Sequence, residues 1–269
     1  MSRTYTADST ARRPTGRRGR LPRAIALLVG ALLVGTAGYY LLAQLTARDE
    51  NGSSAVPAQV RNLEIVIDSG AVSVTAAAPD TAGRIDKKLT KSLRAPDEKI
   101  EQDGDTLRVT TRCGDGWGKC SSDYDVTVAP GTRVKVVTDL GDVSVTGLRG
   151  PVEARTDVGK VSLKDVEADT VVAFGKTGGV SVQDTRFRTA ELGSKLGLVE
   201  VAGTDRFERL KATTKTGDVR LTLPAGAGPF AVTAETSLGD RTVDVPQDSS
   251  SAVKVEASTS VGDVTVSGS

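Results

Sequence analysis

Histidine is absent from all 269 residues. Its absence removes the commonest general base, proton shuttle and neutral metal ligand together, and no Ser-His or Cys-His hydrolase can be built. Aromatic residues make up 3% of the chain, which excludes a large core packed on rings. Two cysteines cannot supply a four-thiolate metal site. No HExxH, no P-loop and no GxGxxG opening a βαβ unit occurs. Serine–lysine neighbours such as Ser194-Lys195 fall inside a repeat, whose period accounts for them. The expectation is therefore a protein that is not an enzyme, with no catalytic residues, no cofactor and no metal ligands. A carbohydrate-active centre would need carboxylates converging in one outward groove, which a sequence does not display. Valine, threonine, alanine and glycine dominate instead, and they favour thin, pleated β-structure with many tight turns.

A formal net charge of +1 conceals a division. Residues 1–23 hold seven arginines (Arg3, Arg12, Arg13, Arg17, Arg18, Arg20, Arg23) against Asp8, so they carry +6 and the remainder −5. Ala24 to Leu45 then runs 22 residues without a charge. As a helix it would cover roughly 33 Å, enough for a hydrocarbon core of about 30 Å. Tyr39 and Tyr40 fall late in the segment, where an interface suits them. The expected organisation is a basic cytoplasmic tail (1–23), a transmembrane helix through the lipid bilayer (24–45), a polar linker (46–61) and an extracellular domain (62–269). The positive-inside rule puts the N-terminus in the cytoplasm of a single-pass cell-membrane protein. Gly35-Thr36-Ala37 offers a cleavage point for the rival reading, a secreted chain. Nucleic acid is not the expected partner of the arginines, because they abut an apolar span. The residues after Arg12-Arg13 fit a twin-arginine export signal poorly.

Beyond residue 130 a phrase recurs: TDLGDVSV (138–145), TDVGKVSL (156–163), GKTGGVSV (175–182), SKLGLVEV (194–201), TKTGDVRL (214–221), TSLGDRTVDV (236–245) and TSVGDVTV (259–266). Its glycines, Gly141, Gly159, Gly178, Gly197, Gly217, Gly239 and Gly262, are spaced by 18, 19, 19, 20, 22 and 23 residues. A diverged copy, DSGAVSV (68–74), centres on Gly70. Apolar residues occupy the places two and four after the glycine, as in Val143/Val145 and Val161/Leu163, and five and seven before it, as in Val136/Val134 and Ala154/Val152. Three before stands Thr or Ser, with Gly175 the exception. Each copy thus reads as two short strands of period-2 alternation meeting at a glycine turn. Two such strands cannot bury their apolar face alone. Stacked about 4.8 Å apart, they form continuous columns, and every backbone group finds a partner in the next rung. The predicted fold is all-β, a β-solenoid of about seven regular two-strand rungs extending roughly 30 Å. The alanine column implies closely approaching walls. A sandwich of the same strands is the alternative, but it needs no fixed register. Arg241 breaks the inward pattern, and Val243 and Val245 after it suggest a bulge.

Residues 76–133 interrupt the order. IEQDGDTLRVTT (100–111) reads as a hairpin about Asp103-Gly104 or a degenerate rung, and YDVTVAPGTRVKVV (124–137) as strand, turn and strand. Residues 80–98 show no period and read as an excursion. Cys113 and Cys120 bracket CGDGWGKC, and on an outer face they should form a disulfide. Closing that eight-residue loop is worth about 2.5 kcal/mol in the chain-entropy model. Trp117 lies at its tip, either folded onto the sheet or exposed as a contact for glycan or protein.

Two rows of charge follow the repeat. Asp142, Asp218, Asp240 and Asp263 stand directly after the glycine. Stacked carboxylates either fan into water or hold a cation such as calcium, though the GGxGxD phrase of calcium-binding β-rolls is absent. Lys176, Lys195 and Lys215, two places before the glycine, form a ladder that is either a solvated face or a surface for anionic glycan or lipid headgroups.

The T-x-x-G-D-V-x-V phrase, the DGDTLRV stretch (103–109) and the turns VTVAPGTRVKV (126–136) and LTLPAGAGPFAV (221–232) resemble the bacterial putative-adhesin family of uncharacterised domains. They are also similar to the toast-rack solenoids attached to envelope-stress membrane proteins. The resemblance covers roughly residues 60–269 and implies a surface-exposed β-solenoid without catalytic residues; the cysteine loop is no part of its pattern. The expected function is an adhesin-like binding or scaffold module of the cell envelope, whose partner is an envelope polymer or protein. The alternative is an accessory or sensory component of an envelope-stress system, acting through a membrane partner.

Overall fold

The computed structural model describes residues 25, 28–38, 48–91, 95–114 and 120–269. The chain divides into two compact units, Met1–Leu45 and Thr46–Ser269. In the first, residues 28–38 are helical. Among the described residues no helix is long and apolar enough to cross a membrane. The flanks of the expected 24–45 span, and the 1–23 tail, lie outside the described residues.

Thr46–Ser269 is all-β. In chain order its strands are β1 (Arg48–Ala55), β2 (Asn62–Ser69), β3 (Val72–Ala76), β4 (Arg84–Lys91), β5 (Asp97–Asp103), β6 (Thr106–Arg112), β7 (Cys120–Val128), β8 (Arg133–Leu140), β9 (Val143–Thr146), β10 (Val152–Val158) and β11 (Val161–Lys164). They continue with β12 (Glu167–Thr177), β13 (Val180–Gln183), β14 (Arg186–Leu196), β15 (Val199–Ala202), β16 (Arg209–Thr216), β17 (Val219–Leu223), β18 (Ala231–Leu238), β19 (Arg241–Asp244), β20 (Lys254–Val261) and β21 (Val264–Gly268). One wall is an 11-stranded sheet, β1-β4-β7-β3-β9-β11-β13-β15-β17-β21-β19; the other is a 10-stranded sheet, β18-β20-β16-β14-β12-β10-β8-β2-β6-β5. Each copy of the phrase crosses from the second wall to the first at its glycine. Only β1, β4 and β5 have no parallel partner, so 11 less two and 10 less one leave nine parallel strands per wall, or nine rungs.

Repeat positions fall into register as the columns require. Val143, Val161, Val180, Val199, Val219 and Val264 are neighbours in one column, each at most 1% exposed. Val136, Ala154, Ala173, Leu192, Ala212 and Ala257 form another across the core. At the corner, the Thr or Ser hydroxyl three places before each glycine donates to the glycine carbonyl of the adjoining rung. Thr156 reaches Gly141 O at 2.8 Å, Ser194 reaches Gly178 O at 2.8 Å and Thr259 reaches Gly217 O at 2.9 Å. These bonds satisfy carbonyls that the turn withdraws from the ladder. Gly175 leaves the Gly159 carbonyl without such a donor; a Cβ at 175 would lie 3.9 Å from that oxygen and 3.3 Å from the Gly178 carbonyl oxygen, which must give by a few tenths of an ångström. Gly175→Ser should therefore raise stability by about 1 kcal/mol, by adding the missing bond and lowering the entropy of the unfolded chain. A rightward shift of the urea midpoint is the readout.

Three expectations are corrected. The stretch 46–61 is not a tether: β1 pairs with β4 along its length, and Val56 and Val60 are buried. Nor is 80–98 an excursion, because β4 and the start of β5 cap the stack antiparallel, with Ile85 buried against the core. Their alternation is weak because a cap buries only one or two side chains. A separate finding is that the final rungs are out of chain order. The Gly262 rung lies between those of Gly217 and Gly239, which makes β18 and β19 terminal. The long connections 224–230 and 245–253 carry the chain over one rung and back. Arg241 makes no bulge: it pairs in register with Val264 and is exposed, as suits the last strand of a sheet.

The opposite end is closed by a polar cluster. Tyr124 donates to Glu98 Oε1 at 2.7 Å, Thr111 bonds the phenol oxygen at 2.6 Å, and Lys87 pairs with the other Glu98 oxygen. Burial, reinforced by the Glu98 carboxylate and opposed by Thr111, raises the Tyr124 phenol above its ordinary range, so it stays a donor. The cluster joins β4 and β7 of one wall to β5 and β6 of the other.

Candidate functional site

The glycine corner sets unlike side chains in parallel rows. The row after the glycine contains the aspartates. Asp142 Oδ1 accepts the Lys160 N–H of the next rung at 2.7 Å, Asp218 Oδ1 accepts that of Asp263 at 3.1 Å, and Asp263 Oδ1 accepts that of Asp240 at 2.9 Å. Their spatial order is thus Asp218, Asp263, Asp240. The carboxylates fasten one turn to the next, which gives the row a structural reason independent of calcium. Among the described residues no group of three or more acids or cysteines is placed to hold a metal ion.

Lys176, Lys195 and Lys215 occupy three consecutive rungs and are all exposed. Lys176 pairs with Asp157 of the adjoining rung; Lys195 and Lys215 make no ion pair among the described residues. Nearer the disulfide end the same row holds Asp139 and Asp68. Between the lysine row and the glycines runs a row that the sequence pattern did not reveal. Leu140, Val158, Leu196, Val261 and Leu238 are all solvent-exposed, Leu196 at 54% and Leu238 at 67%.

Cys113 and Cys120 are joined as a disulfide with Cα atoms 5.9 Å apart. β6 and β7 are themselves a rung, so the disulfide stands where other rungs carry their glycine. The Cys113 N–H donates to Asp68 of the next rung at 2.9 Å. Trp117 lies outside the described residues. Replacing both cysteines with serine should cost about 2 kcal/mol, measured as a lower denaturation midpoint that reductant does not lower further.

A shallow depression lined by Arg186, Arg188, Glu208 and Phe207 opens on the corner opposite the glycines. Another, lined by Thr236, Arg241 and Ser258, opens at the terminal rung. In the first, Arg186 pairs with Asp205, which raises the arginine further.

Parallel columns, a glycine corner and one capped end define a class: stacked two-wall β-coils around a thin aliphatic core. The chain belongs to the Toastrack DUF4097 family, whose model matches residues 62–268. Among solved structures it is similar to a putative adhesin from Bacteroides fragilis, with TM-score 0.52 and 14% identity over 82% of this chain and 97% of that one. It is also similar to a putative cell adhesion protein from Clostridium sporogenes (TM-score 0.41, 10% identity, 82% and 100% covered) and a putative lipid binding protein from Parabacteroides distasonis (TM-score 0.35, 10% identity, 82% and 95% covered). At these identities the likeness concerns the fold. No curated protein matches the chain.

Proposed function

We propose that this protein is a non-enzymatic binding or scaffold module of the cell envelope, anchored by residues 24–45 and displaying Thr46–Ser269 on the outer side of the membrane. The observation that carries the reading is the exposed glycine corner, where a row of charges over six rungs runs beside a row that is aliphatic at five rungs, with rungs about 4.8 Å apart. A rigid ladder of this kind suits a repetitive or extended partner better than a small substrate. The arginine block before an uncharged 22-residue segment supports the anchor and its orientation. Lys176, Lys195, Lys215 and Trp117 remain the proposed contacts for envelope polymer or protein.

Two measurements test this. Full-length protein should stay with membranes through a high-salt wash, and the Cys113–Cys120 region should be open to protease from outside intact cells. Pull-down from envelope extract should lose its captured material when Lys176, Lys195 and Lys215 are changed to alanine together. Release by salt would remove the anchor, and capture indifferent to the triple change and to Trp117→Ala would remove the proposed contacts.

A further inference from the structure

Among the described residues of Thr46–Ser269, every large exposed hydrophobic side chain except Ile100 lies in one row, immediately before the corner glycines. In spatial order that row reads Ser69, Leu140, Val158, Thr177, Leu196, Thr216, Val261, Leu238. Five of these eight places are aliphatic and exposed, in runs of at most two rungs broken by threonine, and such a concentration on one solvated edge marks an interaction surface. The row beside it is polarised: Asp68, Asp139 and Asp157 occupy three successive rungs, and Lys176, Lys195 and Lys215 the next three.

We propose that this corner docks a second copy of the chain, antiparallel, about a two-fold axis crossing the row between Asp157 and Lys176. A two-fold lying in the contact plane, perpendicular to the stack, makes each row face itself in reversed rung order. Asp157 then meets the second copy's Lys176, Asp139 its Lys195, and Asp68 its Lys215. In the ridge Leu140 meets Leu196, and Val158 meets Thr177. In the row after the glycine Asp142 meets Leu198 and Lys160 meets Gly179, so no like charges are opposed. A same-direction dimer instead sets the lysine–aspartate row against the row after the glycine, which brings Asp139 against Asp142. The polarised row is electrically balanced over these six rungs, which favours a complementary copy over an anionic lipid surface. The contact would run about 24 Å. Asp157 and Lys176 already pair within one chain; Asp139, Lys195 and Lys215 form no ion pair among the described residues and would gain partners.

This deepens the adhesive reading by naming the partner, and it rests on that reading for its setting. The entry strand β1 lies beyond the acidic end of the row, so antiparallel docking puts the two chain entries at opposite ends. That suits copies held on facing surfaces.

Sedimentation velocity on Thr46–Ser269, a unit with its own core, supplies the test. Wild type should self-associate weakly, with Kd of about 10 µM to 1 mM for a contact of this size. Asp139→Lys and Lys195→Asp should each weaken association at least about threefold, because each opposes like charges twice per dimer. An equimolar mixture of the two variants should associate as tightly as wild type, as should the double variant alone. Within one chain these positions are three rungs apart, so only contact between copies can give that rescue. Unchanged denaturation midpoints exclude a folding effect. A wild type monomeric to about 2 mM, or a mixture no tighter than its components, would overturn the proposal. Envelope capture by such a monomer would leave the broader binding reading intact.

Discussion

Gly178→Ala should lower the free energy of unfolding by roughly 3–5 kcal/mol, more than any change at an exposed position. Two costs combine. Gly178 has φ of +131°, a conformation that a side chain strains. A Cβ built there would overlap the carbonyl oxygen of Gly159 in the adjoining rung. That oxygen is backbone, and its residue is tied to the next rung by the Gly159 N–H, which donates to Thr177 O at 2.9 Å, so it cannot swing aside without disturbing that bond. The Gly178 N–H donates to Leu196 O at 2.8 Å, so a shift at this corner also strains the rung beyond. Gly131→Ala is the control: φ is ordinary, a Cβ meets nothing within 4 Å, and the change should stay within about 0.5 kcal/mol. Guanidinium unfolding of the three proteins decides it. Equal midpoints would mean that the corner relaxes and that the glycine row is not a steric requirement.

The same coupling explains why the stack was legible in the sequence. A residue at an inward place touches its equivalents above and below, so Val143, Val161 and Val180 meet one constraint and remain alike. The caps escape that constraint. β4 offers the core only Ile85 and Leu89, and β1 offers it nothing, so charge hides their strand character. The order of the last two rungs was hidden for the opposite reason: TSLGD and TSVGD both fit either layer. Only the wider glycine spacings, 22 and 23 residues, signalled the longer connections.

Of the corner, the lysine row was legible and the aliphatic ridge was not. Period-2 alternation assigns the place before the glycine to the inside, together with the places three, five and seven before. At that point the strand has already passed the edge of the core, and Leu140 and Leu196 emerge into solvent more than half exposed. The ridge also mixes Leu, Val, Thr and Ser, so no single residue type announces it. The charges beside it carry more information in their order, three acids and then three lysines, than in the lysines alone.

The aromatic residues, few as they are, make the second large prediction. Phe187, Phe207 and Phe230 are each at most 6% exposed and form one row on the edge opposite the glycines. The Phe187 and Phe207 centroids are 5.5 Å apart and tilted; those of Phe207 and Phe230 are 6.1 Å apart and stacked. Phe230 leads into β18, which is separated from β16 by β20, a backbone distance of about 9.6 Å. The stacked pair therefore bridges the interposed rung at the place where the chain steps over it. Phe207→Ala removes the middle ring and leaves both neighbours facing a void. The expected loss is about 3–5 kcal/mol, near the upper end because the flanking rings belong to different rungs and cannot collapse together. Phe174 is the contrast: it lies half-buried on the outer face beneath Arg155, 5.1 Å from its centroid, and Phe174→Ala should cost only about 1 kcal/mol. Hydrogen exchange adds a sharper readout. If the row pins the crossover, Phe207→Ala should speed exchange of the β18 and β20 amides before those of β10 and β12. Uniform acceleration along the stack would instead make the ring ordinary core.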